Sequence, residues 1–196
     1  MIPEGYHESI GLSCSLPDSS PVGRREIVDN VLVLQLQIRL AKPEDLENVV
    51  GVWERSRWDA QPWLEERMNY SHESNLRQFR DVVARECDIW LATEEDKIVG
   101  LLAIADEQID QLYVEPECQG RGIGSALLDH AKALVPAGLW LFTHQANERA
   151  RAFYERRGFR AVKLGVSPPP ESEPDVKYAW SSRENARDPR QHHRSP

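Results

Sequence analysis

The sequence predicts an α/β fold in which one mixed sheet of about seven strands carries about four helices on its faces. Three observations lead there. Apolar residues alternate with period two across 31–40, three strand-like runs follow one another across 88–114 with only short acidic turns between them, and elsewhere the apolar spacing changes to the three and four of a helix.

The first strand is expected from Val31, where Leu32, Leu34, Leu36, Ile38 and Leu40 alternate with Val33, Gln35, Gln37 and Arg39. Pro43 then opens a helix, because its missing N–H would be unpaired there, and Leu46, Val49, Val50 and Trp53 follow at helical spacing. A second helix is expected over Ser71–Arg85, with Leu76, Phe79 and Val83 on one side, and a loop carrying Trp58, Trp63 and Tyr70 lies before it. Asp88–Thr93, Lys97–Ala105 and Gln108–Val114 read as strands joined by the acidic turns at 94–96 and 106–107, hence an antiparallel meander.

After Pro116 the pattern is helical again, with Ile123, Ala126, Leu127, Ala131 and Leu134 facing one way, and a short strand Leu139–Thr143 follows. Asn147 can cap a further helix that Gly158 ends. Strands Arg160–Val166 and Val176–Trp180 flank the loop Ser167–Asp175, which Pro168, Pro169 and Pro170 stiffen.

Residues 1–30 and 181–196 are polar and lack a period, so both ends are expected to be disordered around a domain spanning 31–180. His192 and His193 fall in that tail, where a metal site would lack fixed geometry. A chain of 196 residues has room for one domain with its tails. A formal net charge of −8 argues against a general nucleic-acid binder and suits a cationic or amine partner. Cys14, Cys87 and Cys118 are odd in number and lack metal-ligand spacing, so no disulfide framework and no metal are expected, and a reducing cytoplasm is the expected location. The apolar run Ile98–Ala105 is far shorter than the roughly 20 residues of a bilayer span, so no membrane partner is expected.

The chemistry is concentrated between Gln111 and Leu128, where a strand, a glycine-rich turn and a helix start succeed one another. Gly120, Gly122 and Gly124 let main chain approach a ligand closely, and the free amides and positive dipole end of the new helix can hold a pyrophosphate, with Arg121 assisting. A P-loop is excluded because no Lys stands at its spacing, and a dinucleotide fingerprint because the last glycine interval is missing.

Gln119-Gly120-Arg121-Gly122-Ile123-Gly124 resembles the acetyl-CoA signature of the GNAT superfamily of N-acetyltransferases: Gln or Arg, two residues, Gly, one residue, then Gly or Ala. Downstream, the stretch from Asn147 through Tyr154 to Gly158-Phe159 resembles the superfamily's asparagine, helix, tyrosine and Gly-Phe ending. The resemblance implies a GNAT fold with a mostly antiparallel sheet, and transfer of an acetyl group from acetyl-CoA to a primary amine by direct attack.

It further implies that Leu112, Tyr113 and Val114 lie along the pantetheine arm through main-chain groups, one of which polarises the thioester carbonyl. Gln119, Gly120, Arg121, Gly122, Ile123, Gly124 and Ser125 would form the phosphate cradle, with Asn147 contacting the arm. Tyr154 would protonate the departing thiolate, since a phenol near pKa 10 can give its proton to a thiolate whose conjugate acid lies near 8.5. The competing reading makes Tyr154 a packing partner of Phe153 and Asn147 only a cap. Glu107, Asp110 and His144 are the candidates for the base that deprotonates the amine, with a water chain as the alternative. Trp58, Trp63 and Tyr70 are candidates for an aromatic acceptor pocket, and Glu171, Glu173 and Asp175 for attracting a positive charge. The acceptor is then a small-molecule or peptide amine, acted on by a monomer or homodimer. A non-catalytic CoA sensor and a protein-modifying acetyltransferase are the alternatives.

Overall fold

The segment before Pro43 forms a short edge strand, β1 (Gln37–Leu40), in a computed structural model that describes residues 35–182. Residues 31–34, His192, His193 and nearly all of the two expected disordered ends lie outside the described residues. A single turn at Pro43–Asp45 leads into α1 (Leu46–Ala60), which buries Val49, Val50, Val52 and Trp53.

The loop expected to carry Trp58 and Trp63 is mostly helix. Trp58 belongs to α1, and Pro62 opens a separate helix, α2 (Pro62–Met68), again as a proline in the first turn. α2 ends on Asn69 in the left-handed region, φ 46°, and Ser71 then caps α3 (His72–Gln78), its hydroxyl accepting from Ser74 N at 3.2 Å. α3 continues through a π-helical turn, Phe79–Val83, into α4 (Ala84–Glu86), and the extra residue in the turn keeps both Phe79 and Val83 buried.

The meander forms as the sequence predicts: β2 (Asp88–Glu94), β3 (Lys97–Ala105) and β4 (Gln108–Val114) pair antiparallel in order. Glu95 and Asp96 turn the first hairpin with φ 47° and 64°, a conformation that an aspartate tolerates better than a branched residue does. β3 is buried from Ile98 to Ile104 because helices cover both of its faces. On one face Val50, Trp53 and Phe79 pack on Leu91 and Leu101; on the other, Leu127, Leu128 and Ala131 pack with Leu102 and Leu141.

Those three residues lie on α5 (Ile123–Leu134), whose buried stripe differs from expectation: Leu128 is enclosed, while Leu134, in the last turn, is 42% exposed. β5 (Gly138–His144), α6 (Glu148–Arg156), β6 (Arg160–Val166) and β7 (Pro174–Ser181) complete the order. The seven strands lie as β1-β2-β3-β4-β5-β7-β6, antiparallel throughout except for β4 beside β5. The predicted mixed, mostly antiparallel sheet of seven strands is therefore present.

That parallel contact positions the site. β4 meets β5 at one register position, Gln108 opposite Trp140, and then leaves it. Just past that point the register of β4 on β3 shifts, Ala103 facing Gln111 but Ile104 facing Ile109, so Asp110 is the additional residue of a bulge. A bulge bends its strand and raises the local twist, which turns Gln111–Val114 away from β5 and opens a wedge in the sheet.

One contact under α5 gives the fold a pH dependence. His130 lies edge-on to Trp90, ring centroids 4.2 Å apart, and His130 Nε2 and Trp90 Nε1 are both buried without a hydrogen-bond partner. Burial lowers the His130 pKa, so the unfolded chain binds the proton more readily than the folded one. This stabilising contribution is complete above the ordinary histidine pKa of about 6.5 and is lost as pH falls below it. In urea unfolding, the stability of the wild type relative to His130→Leu should therefore decrease between pH 7 and pH 5; a constant difference would remove the assignment.

Candidate active site

The wedge separates two cavities that meet along its walls. The first, about 500 Å3, lies over the glycine turn and the start of α5, between α1 and α6. Its floor is Gln119, Gly120, Gly122, Ile123, Gly124 and Ser125. Gly120 and Gly122 adopt φ 75° and 89°, and a Cβ at either would have no heavy atom within 4 Å. The space above them is thus open, and their left-handed backbone aims consecutive N–H groups at it. Gly124 is different: its Cβ would meet Val114 and Phe153 at 3.5 and 3.6 Å, ordinary contacts that an alanine could make.

Main chain along β4 supplies the next wall. Glu115 N donates to Val99 O at 2.9 Å, and because successive residues of a strand alternate, Leu112 and Val114 turn their N–H and C=O groups toward the wedge. Val114 O is already taken, by Ser56 Oγ at 3.0 Å and Gln119 Nε2 at 3.1 Å. The polar groups left for a ligand are the Leu112 N–H and C=O and the Val114 N–H. α1 is stitched along this strand by Trp53 Nε1 donating to Gln111 Oε1 at 2.9 Å and by a two-pronged Arg55 to Glu115 ion pair at 2.8 Å.

Arg121 departs from expectation. Its guanidinium binds both oxygens of Glu94 at 2.9 Å, and the residue does not line the cavity. Positive charge comes instead from α6 and its end: Arg149, Arg156 and Arg157 line the cavity. Arg157 donates to Ser125 Oγ and stacks over Phe153 at 5.7 Å, which holds it beside the start of α5. Arg149 reaches across the mouth to Asp59 at 2.5 Å and holds its carboxyl below the usual carboxylate range. The spacing 149, 153, 156 and 157 was the available sequence signal, since it sets one helix face.

The second cavity, about 520 Å3, opens on the other side of the wedge and is lined by Arg57, Gln61, Asp110, Phe142, His144 and Glu171, among others. Leu112, Tyr113, Asn147, Ala150 and Tyr154 line both cavities, so the two meet there. Asn147 is indeed a cap, its Oδ1 accepting from Ala150 N at 3.0 Å, which leaves its amide N–H groups free of that bond. Tyr154 does pack among aromatics, 5.3 Å from Phe153 and 5.7 Å from Phe159, and is 7% exposed. Its hydroxyl is nevertheless not sealed in and makes no hydrogen bond to a described residue. Burial, with the neighbouring Tyr113 phenol second, pushes its pKa well above that of an ordinary phenol.

A wedge opened at a bulge, a glycine cradle beside it and a buried phenol where two cavities meet can hold a phosphorylated thioester on one side and an acceptor on the other. Comparison with known proteins agrees: residues 85–161 match the family model described as an Acetyltransferase (GNAT) domain. Those residues form a GNAT domain. Among relatives of this GNAT protein, the peptidyl-lysine N-acetyltransferase YjaB of Salmonella typhimurium is 29% identical over 130 residues, 66% of this chain and 86% of that one. The solution structure of apo YjaB from Escherichia coli superposes with a TM-score of 0.61 at 27% identity, covering 75% of this chain and 98% of that one. A PaiA N-acetyltransferase from Thermoplasma acidophilum, solved with coenzyme A, shares the fold at a TM-score of 0.56 and 22% identity, covering 76% and 99%. As a GNAT protein the chain is an acyltransferase, and the family uses acetyl-CoA.

The GNAT site also sorts the remaining candidates. Asp110 is the bulge residue, exposed and facing the second cavity. His144 lines it too, between Gln61 and Glu171 Oε2, the latter 3.3 Å from Nε2. Glu107 lies in the turn before β4 and lines neither cavity. Trp58, Trp63 and Tyr70 line neither, and their exposures of 48, 39 and 40% place them on the outer surface. The expected aromatic pocket is therefore not built from them; Tyr113 and Phe142 are the aromatic lining of the second cavity besides Tyr154. Glu171 and Asp175 line it as expected, whereas Glu173 is held by Arg67 on α2. Sequence reasoning missed Arg57 and Gln61, which reach the cavity only because α1 runs its full length. Among the described residues no helix is long and apolar enough to cross a membrane, and no His, Cys, Asp and Glu cluster could hold a metal.

Proposed function

We propose that this chain transfers an acetyl group from acetyl-CoA to a primary amine of a peptide, protein or small molecule, joining donor and acceptor directly where its two cavities meet. The observation that carries this reading is the shared lining, Leu112, Tyr113, Asn147, Ala150 and Tyr154, which offers two ligands one meeting point. The open space over Gly120 and Gly122 fits a pyrophosphate, and when bound acetyl-CoA supplies the acetyl group as a thioester.

The chain's own groups divide the work. Amides at 120–125 and the guanidinium groups of Arg156 and Arg157 hold phosphate, while the Leu112 and Val114 main chain orients the pantetheine arm and presents an N–H to the carbonyl oxygen. Asp110 or His144 takes the proton that the acceptor nitrogen sheds. Tyr154 Oη gives its proton to sulfur as the carbon–sulfur bond breaks. Its raised pKa keeps the phenol protonated until then, and the burial that raises it also raises the proton affinity of a thiolate beside it.

The names of the YjaB relatives support a peptidyl amine as acceptor. The test is thiol release from acetyl-CoA over a panel of lysine peptides, polyamines, amino acids and simple amines. Release with one class supports transfer; CoA binding with no release from any class would favour a CoA sensor.

A further inference from the structure

A row of facing residues crosses the floor of the acceptor cavity. His144 on β5 is opposite Asp175 on β7, and Asp175 is opposite Gly165 on β6, so the three share one face of the sheet. Asp175 is 7% exposed, yet no described residue makes a hydrogen bond or ion pair to its carboxylate; only its main-chain carbonyl is engaged by a side chain, accepting from Gln145 Nε2 at 2.9 Å. Its oxygens are not sealed in, and the residue lines the cavity. A buried carboxylate with no partner is costly, and such groups are normally paired.

The other charges around it, Lys163 apart, are already engaged. Arg57 donates to Glu65 at 2.6 Å and stands 3.5 Å from Glu171, and Glu171 also faces His144. Asp110 accepts from Gln111 Nε2 at 2.9 Å. Lys163 lines the same cavity, exposed and beyond ion-pair distance of Asp175. Gly165 contributes by having no side chain: a Cβ there would stand 2.6 Å from Asp175 Oδ1, so the carboxylate occupies the place that any larger residue would fill. Apolar surface of Phe142, Val166 and Pro168 lines the cavity as well.

From this we infer that Asp175 is the acceptor-recognising carboxylate, and that the cavity takes an alkylammonium on an unbranched aliphatic stem, as a lysine side chain presents it. The inference rests on the acetyltransferase reading for the use of the cavity, but the pairing itself is a binding event. The ammonium would complete the missing ion pair while its methylene stem covers the apolar wall. Acceptors with a carboxylate close to the amine would meet Asp175 with like charge and be rejected.

The experiment measures binding and turnover side by side, on the full chain with CoA present. Calorimetry follows Nα-acetyl-lysine methylamide binding, and thiol release follows its acetylation. Asp175→Asn keeps the shape and removes the charge, and should weaken binding and raise KM roughly ten- to a hundredfold, the usual worth of a hydrogen bond to a charged group. CoA affinity should stay unchanged, which also reports that the variant is folded. Gly165→Ala, which must displace the carboxylate without removing it, should weaken the same probe in the same direction. Wild-type affinity and KM in both variants would overturn the assignment, as would failure of the wild type to bind the probe. Should the wild type bind the probe without turnover and Asp175→Asn lose it, the recognition role stands and the acetyltransferase reading fails.

Discussion

Replacing Gly122 with valine should abolish measurable coenzyme A binding while leaving a folded protein. Gly122 precedes the first residue of α5 with φ 89°, a region that costs a non-glycine residue roughly 1–2 kcal/mol and a β-branched one more. No heavy atom lies within 4 Å of its Cβ position, so the added side chain projects into the cavity and not into the core. The penalty therefore falls on the ligand, through lost volume and through rotation of the amides that would face a pyrophosphate. Gly124→Ala is the control, because its methyl meets Val114 and Phe153 at ordinary distances, and it should bind almost as the wild type does. The check is a calorimetric titration of all three proteins with coenzyme A. Wild-type affinity in Gly122→Val would mean that the turn is not the phosphate cradle.

Tyr154→Phe should lower kcat by about a hundredfold or more, within the range usual for a positioned general acid, and leave acetyl-CoA affinity nearly unchanged. The substitution separates the two readings of this residue. Its ring packs against Phe153 and Phe159, contacts that phenylalanine keeps, whereas its hydroxyl bonds to no described residue and so has no structural bond to lose. A packing role predicts wild-type turnover, and an acid role predicts the loss. Steady-state thiol release together with a binding titration decides between them, and unchanged kcat would return the hydroxyl to a bystander.

The raised pKa of Tyr154 was not legible in the sequence, because it comes from burial, with Tyr178 of β7 and Phe159 packed around the ring, and from Tyr113, 41 positions earlier in the chain. The glycine turn was legible, because Gly120 and Gly122 adopt a left-handed backbone conformation that a contiguous turn fixes by itself. Arg121 shows the limit of such reading: its neighbours in sequence place it in the turn, but Glu94 at the end of β2 takes its side chain away. The tryptophans were misplaced for a similar reason. Aromatic residues after an amphipathic helix resemble a loop, whereas α1 has enough packing on β3 and β4 to continue to Ala60, and Pro62 then begins a new helix.

Local pattern determined the order of the strands, the glycine-rich turn before α5 and the resemblance to the superfamily, since each depends on residues a few positions apart and on periodicities that survive without tertiary context. Tertiary structure alone decided where β4 parts from β5, which arginines face the cradle and which carboxylate remains without a partner in the acceptor cavity. Those depend on strands and helices brought together from distant parts of the chain, where a single bulge or ion pair redirects a side chain that the sequence leaves free.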